Sequence, residues 1–131
     1  MGKRILLGGI VVFILWSLVD FIIHGVILRG TYEATASLWR PMAEMKMGLM
    51  YAVIFIAALA FASIYGWLVG SKSLQTGFRY GLLYGIAVGV GMGYGTYSVM
   101  PIPYSMALTW FLGSVLEATL GGLLLGMIIR K

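Results

Sequence analysis

Four long apolar runs decide most of what this chain can fold into: Ile5–Leu28, Met47–Val69, Tyr80–Met100 and Tyr104–Ile129. A helix rising about 1.5 Å per residue needs about 20 apolar residues to cross about 30 Å of hydrocarbon. Each run has that length, and little chain remains outside them. Of the 131 residues 61% are hydrophobic and only 10% are charged, where a soluble domain carries about 25% charged residues. The expected fold is an all-α integral membrane protein, with residues 1–131 forming a single domain of four transmembrane helices in a bundle.

The chain has no cysteine, which excludes disulfides, thiolate metal sites and cysteine nucleophiles. Met1-Gly2-Lys3-Arg4 before an apolar run imitates a signal peptide. No small-residue cleavage site follows, and the run continues past Asp20 to Leu28, so it reads as an uncleaved first span. Leu6 stands where a myristoylation signal wants Ser or Thr. The net charge of +5 is informative for orientation. Lys3, Arg4, Lys72, Arg79, Arg130 and Lys131 fall on one side of a four-span chain, against Arg29, Arg40 and Lys46 on the other, where Glu33 and Glu44 dilute them. That asymmetry puts both termini in the cytoplasm, in a multi-pass protein of the cytoplasmic or inner membrane. The basic residues flank spans and form no stripe, so a nucleic-acid partner is excluded; membrane lipid is the expected surrounding.

The connector 29–46 is too polar to span. Tyr32, Leu38, Trp39, Met42 and Met45 set against Glu33, Arg40, Glu44 and Lys46 predict an amphipathic segment in the headgroup zone, broken in two at Pro41. Such a segment serves as an interfacial anchor or as a cap over the outer mouth of the bundle. In the third run Gly77, Gly81, Gly85, Gly89 and Gly93 recur every four residues, with Gly91 and Gly95 beside them. The fourth carries Ser114, Ala118, Gly122 and Gly126. Small residues at this spacing let helix backbones approach closely. Spans three and four are therefore expected to pack as a tight pair or to form a homo-oligomer interface. Gly93-Tyr94-Gly95 matches three residues of a potassium-channel filter. A filter, however, needs a re-entrant loop behind a short pore helix, and these glycines continue a full-length span.

Two acids lie at membrane depth, Asp20 and Glu117, together with His24, the only histidine. Trp16, Asp20 and His24 are four apart and stack on one helix face, with Trp16 read as packing or as a wall. Asp20 is 15 residues from Ile5 and Glu117 is 12 from Ile129, about 22 Å and about 18 Å from the cytoplasmic ends at 1.5 Å per residue. The two acids thus lie at similar heights, where neighbouring helices could bring them together. No Lys or Arg lies inside any run, so His24 is the only internal cation available. With both acids ionised, one negative charge stays uncompensated, which requires a protonated carboxyl or a bound proton or metal cation. The acids also sit in related settings, Phe13 to Asp20 and Trp110 to Glu117, each with aromatic, Ser and acid in register and a Gly five residues on. That pattern is compatible with an inverted repeat whose site lies near the midplane.

Asp20, His24 and Glu117 are accordingly the predicted ion- or substrate-binding residues, and the same three could ligate Zn, Fe or Mn as a cofactor ion. Met42, Met45, Met47, Met50, Met100 and Met106 cluster towards the outer side and offer soft ligands, or simply adaptable packing. The expected function is binding or translocation of a proton, metal ion or small cationic solute. The alternatives are a non-catalytic accessory subunit of a larger membrane complex, in which Asp20 and His24 merely satisfy each other, and, third, a membrane enzyme. Hydrolytic and phosphate-loop motifs are absent.

Overall fold

The computed structural model describes residues 1–130; Lys131, counted above among the basic residues of one side, lies outside them. The described residues are helical, with no strand. Three helices are long and apolar enough to cross a membrane, Gly2–Ile27, Met47–Leu68 and Tyr104–Ile128, and they match the first, second and fourth apolar runs. The first is α1 (Gly2–Ile22), continued by a π-helical turn at Ile23–Ile27. A six-residue helix, α2 (Arg29–Ala34), follows it. The second is α3 (Met47–Ser63), likewise continued by a π turn at Ile64–Leu68.

The third run behaves differently. Its helix, α4 (Leu74–Val90), begins before the apolar run does, because Ser73 caps it: Oγ accepts the Thr76 N–H at 3.0 Å. α4 continues through a π turn at Gly91–Gly95 into α5 (Thr96–Val99). Glycine and tyrosine, placed at helical intervals, make this helix less apolar than the other three. After the Pro101-Ile102-Pro103 turn, α6 (Tyr104–Ile128) completes the chain.

Packing follows the small residues. α1 and α6 run antiparallel, since Gly8 lies against Leu125 and Gly113 against Ile23. α4 and α6 also run antiparallel and touch through backbone. A Cβ on Gly77 would fall 2.2 Å from the Gly122 carbonyl oxygen, and one on Gly81 would fall 2.1 Å from that of Ala118. The glycine ladder therefore makes an intrachain pair, one of the two outcomes expected of it. α1 lies beside α3, with Gly9 against Leu59 and the Phe13 and Phe55 rings edge to face at 5.4 Å. Tyrosines tie α3 to α4: Tyr80 donates to the Phe61 carbonyl at 2.6 Å, and Tyr65 to that of Ser73 at 3.1 Å. Inside the membrane-length helices these hydroxyls find carbonyl partners, as buried polar groups must.

Two apolar clusters result. Val12, Phe61, Tyr65, Leu125 and Ile129 are fully buried in the larger one, near the end where Arg4 donates to the Arg130 carbonyl. The smaller, at the opposite end, gathers Ile23, Leu28, Ile102, Met106 and Ala107, and Tyr32, Leu38 and Trp39 of the connector pack onto it. So the connector folds back over that end. Pro41 does divide it, with one 3-10 turn before (Ala36–Leu38) and another after (Met42–Glu44). The outward faces of the long helices are bare hydrocarbon: Leu18, Phe21, Ile56 and Leu83 are each more than 60% exposed. A bilayer gives such surfaces the environment they require.

Candidate functional site

The site grows from the register between α1 and α6. Trp16 is buried, and its indole Nε1 donates to the backbone carbonyl of Glu117 at 2.8 Å. Gly121, one turn beyond Glu117, leaves room for the ring, since a Cβ there would lie 3.1 Å from Trp16 Nε1. Trp16 is thus more than a wall, because its bond sets Glu117 opposite the next turn of α1, which carries Asp20. The Asp20 carboxyl is close enough to Glu117 for the two acids to interact. Glu117 Oε1 is sealed from solvent, and no N–H or hydroxyl donor reaches it among the described residues.

His24 sits on the other flank of Asp20, in the π turn that ends the first long helix. There the chain bonds five residues back, Leu28 N–H to Ile23 oxygen at 2.8 Å, which widens the turn and shifts His24 relative to a regular helix. Its Nε2 stands 3.8 Å from Asp20 Oδ1, longer than a hydrogen bond. Its Nδ1 lies 2.6 Å from the Tyr32 hydroxyl. Trp110 Nε1 donates to the same hydroxyl at 2.9 Å. When Nδ1 of a neutral His24 is unprotonated, the Tyr32 hydroxyl donates to it, and Nε2–H is then directed towards Asp20. Protonated His24 instead donates from Nδ1 to the Tyr32 oxygen. One junction therefore accommodates both charge states of the histidine without moving a heavy atom. Burial raises the Tyr32 phenol above its ordinary value, the Trp110 bond opposing and Asp20 adding to the rise. The Tyr32 phenol therefore stays protonated at any physiological pH.

The aromatic surround is continuous. Tyr32 packs edge to face on Trp39 at 5.4 Å, and Trp39 on Trp110 at 6.0 Å. Trp39 Nε1 in turn donates to Thr35 Oγ1 at 2.9 Å.

The three predicted site residues therefore form a line. Glu117 and Asp20 face each other across α1 and α6, and His24 lies beyond Asp20, towards Tyr32. The line does not close into a ligand cage: among the described residues no three of His, Asp and Glu converge tightly enough to hold a metal ion. Of the methionines, Met106 is buried in the smaller cluster with Met100 packed against it, whereas Met42 is 85% exposed. Sequence reasoning missed Tyr32 and Trp110 as members of the site. Trp110 could have been found, since it precedes Glu117 by seven residues and so shares its helix face. Tyr32 could not, because its reach to His24 depends on the π turn. One edge of the line is open: the side chains of His24 and Asp20 are 42% and 29% exposed. The chain matches no protein-family model, no curated protein and no solved structure.

Proposed function

We propose that this chain is a four-helix membrane protein, with both termini on the cytoplasmic side, that binds or passes a cation through the Asp20–Glu117 pair. The facing carboxyls carry this reading. Two acids at one depth, with no Lys or Arg beside them, need a positive charge to coexist in a low-dielectric site. A proton shared between them meets that need with the least space. A small cationic solute seated at the open edge of Asp20 meets it equally well. His24 and Tyr32 extend the pair towards the outer end, where the connector covers the smaller apolar cluster. His24 is then the outer proton acceptor, and Tyr32 the group that holds its ring in either charge state. The basic end, where Arg4 meets Arg130, takes the cytoplasmic side by the excess of Lys and Arg.

The test is flux in proteoliposomes. Asp20→Asn and Glu117→Gln should each abolish proton or cation flux while far-ultraviolet helicity stays at the wild-type level. Wild-type flux in both variants would remove the proposal.

A second reading rests on the open edge. A half-exposed histidine beside an acid is an expensive surface to leave against lipid. A second copy or a partner subunit that covers it would make the chain an accessory component of a larger complex. Mild-detergent purification distinguishes this reading by the stable partner it predicts.

A further inference from the structure

We propose that the cleft between the start of α4 and the end of α6 binds a phosphate group, in the membrane that of an acidic phospholipid. The cleft has a volume of about 310 Å³ and is lined by Lys72, Ser73, Leu74, Gly126, Met127 and Arg130. It lies at the far end of the molecule from the His24–Tyr32 junction.

The cations come from separate segments. Lys72 belongs to the loop before α4, where its ammonium donates to the Val69 carbonyl and stands 5.5 Å over the Tyr65 ring. Those contacts hold its stem at the cleft. Arg130 follows α6 and spends its Nε on the Met127 carbonyl at 3.0 Å. Its terminal nitrogens are the planar fork that suits phosphate oxygens. Arg4 is brought to the same place by its bond to the Arg130 carbonyl.

No acidic side chain answers these charges. The four acids of the sequence are Asp20, Glu33, Glu44 and Glu117, all elsewhere. The opposite end differs, because there Arg29 pairs with Glu33 at 3.4 Å. The start of α4 adds to the positive field. Ser73 caps the Thr76 N–H, and the amides of Leu74 and Gln75 have no acceptor inside the helix.

The walls favour a lipid over a free anion. Leu74 and Met127 line the cleft while 53% and 54% exposed, so apolar surface leads from the basic pocket to the outer faces of α4 and α6. An amphiphile satisfies both parts at once. Basic pockets between helices at the cytoplasmic surface recognise anionic headgroups in this way.

Native mass spectrometry of the purified chain, offered phosphatidylglycerol or phosphatidylcholine, tests the site. About a 25-fold preference for phosphatidylglycerol is expected, from about fivefold for each of two basic side chains. Lys72→Gln with Arg130→Gln should reduce it to less than about twofold, while Arg29→Gln with Arg40→Gln leaves it intact. Inorganic phosphate that competes at equal concentration would identify free phosphate as the ligand; failure to compete identifies the lipid. An unchanged preference in the first double variant, or equal loss in both, overturns the proposal. Should the first double variant lose helicity, wild-type binding must still fall as salt rises, and salt-independent binding overturns it as well.

Discussion

The backbone contact between α4 and α6 makes Gly81→Ala the sharpest test of the fold that holds Glu117 in place. The added methyl would sit 2.1 Å from the Ala118 oxygen, 2.9 Å from its carbonyl carbon and 2.9 Å from Thr119 Cα. All three atoms are backbone, so no side chain can swing aside. Relief requires the helices to part by about 1 Å, and a gap of that size forfeits between a quarter and a half of each dispersion contact it opens. The neighbouring contacts at Gly77, Gly85 and Gly89 loosen with it, since they lie on the same seam. The expected cost is about 2–3 kcal/mol, roughly a 30- to 150-fold change in the folding equilibrium. Gly91→Ala is the control, because a Cβ there meets nothing within 4 Å. It should be neutral or stabilising by up to about 1 kcal/mol through helix propensity. Reversible unfolding in mixed micelles, followed by far-ultraviolet circular dichroism, measures both. Equal stability of the two variants, within about 0.5 kcal/mol, would refute the close-contact reasoning.

Three further outcomes follow from named contacts. Trp16→Phe removes the indole bond to Glu117 while keeping an aromatic ring; it should cost about 1 kcal/mol in the same unfolding assay and loosen the α1–α6 register. Tyr32→Phe leaves Trp110 Nε1 and His24 Nδ1 without their shared partner, so proteoliposome flux should be reduced. The same variant has a pH signature. A phenol raised above its ordinary value of 10.0 contributes stability in full below that pH and loses it as pH climbs through the folded value. Wild-type and Tyr32→Phe stabilities should therefore differ by a constant amount to about pH 10 and converge above it.

The apolar runs announced three of the long helices almost to the residue, because a segment that must bury its own backbone polarity in lipid has few alternatives to a helix. The third run understates its helix at the start. Gln75, Thr76 and Arg79 lower the apolarity there, yet the Ser73 cap begins the helix anyway. Residue counting put Asp20 and Glu117 at similar heights, and the adjacency of α1 and α6, which the Trp16 bond to the Glu117 carbonyl fixes, brings them near each other. The His24 arm was not legible. A four-residue spacing predicts stacking on Asp20, whereas the π turn leaves them 3.8 Å apart and hands the ring to Tyr32. Backbone irregularities of that kind depend on tertiary contacts, which one sequence does not display. The connector's fate was also hidden. Its aromatics suit a lipid interface and a protein surface alike, and Tyr32, Leu38 and Trp39 pack half-buried on Ile23, Leu28 and Met106 while most of the rest of the connector stays exposed.

The π turn at Gly91–Gly95 carries a consequence of phase. An α-helix advances about 100° per residue, so a repeat of four overshoots a full circle by about 40° at every step. From Gly77 to Gly89 the ladder thus drifts steadily around α4, and α6 must wrap to follow it. A π turn, at about 4.4 residues per circle, undershoots instead and returns the drift. Gly93 is buried against Ala107 for that reason, while Gly91 and Gly95 face open space. The bulge acts as a phase corrector in the helix. Losing one of its residues would leave four α-helical residues turning through about 400° where five π-helical ones turn through about 410°, so the helix beyond would keep Tyr94 facing Tyr104 while the turn itself straightened.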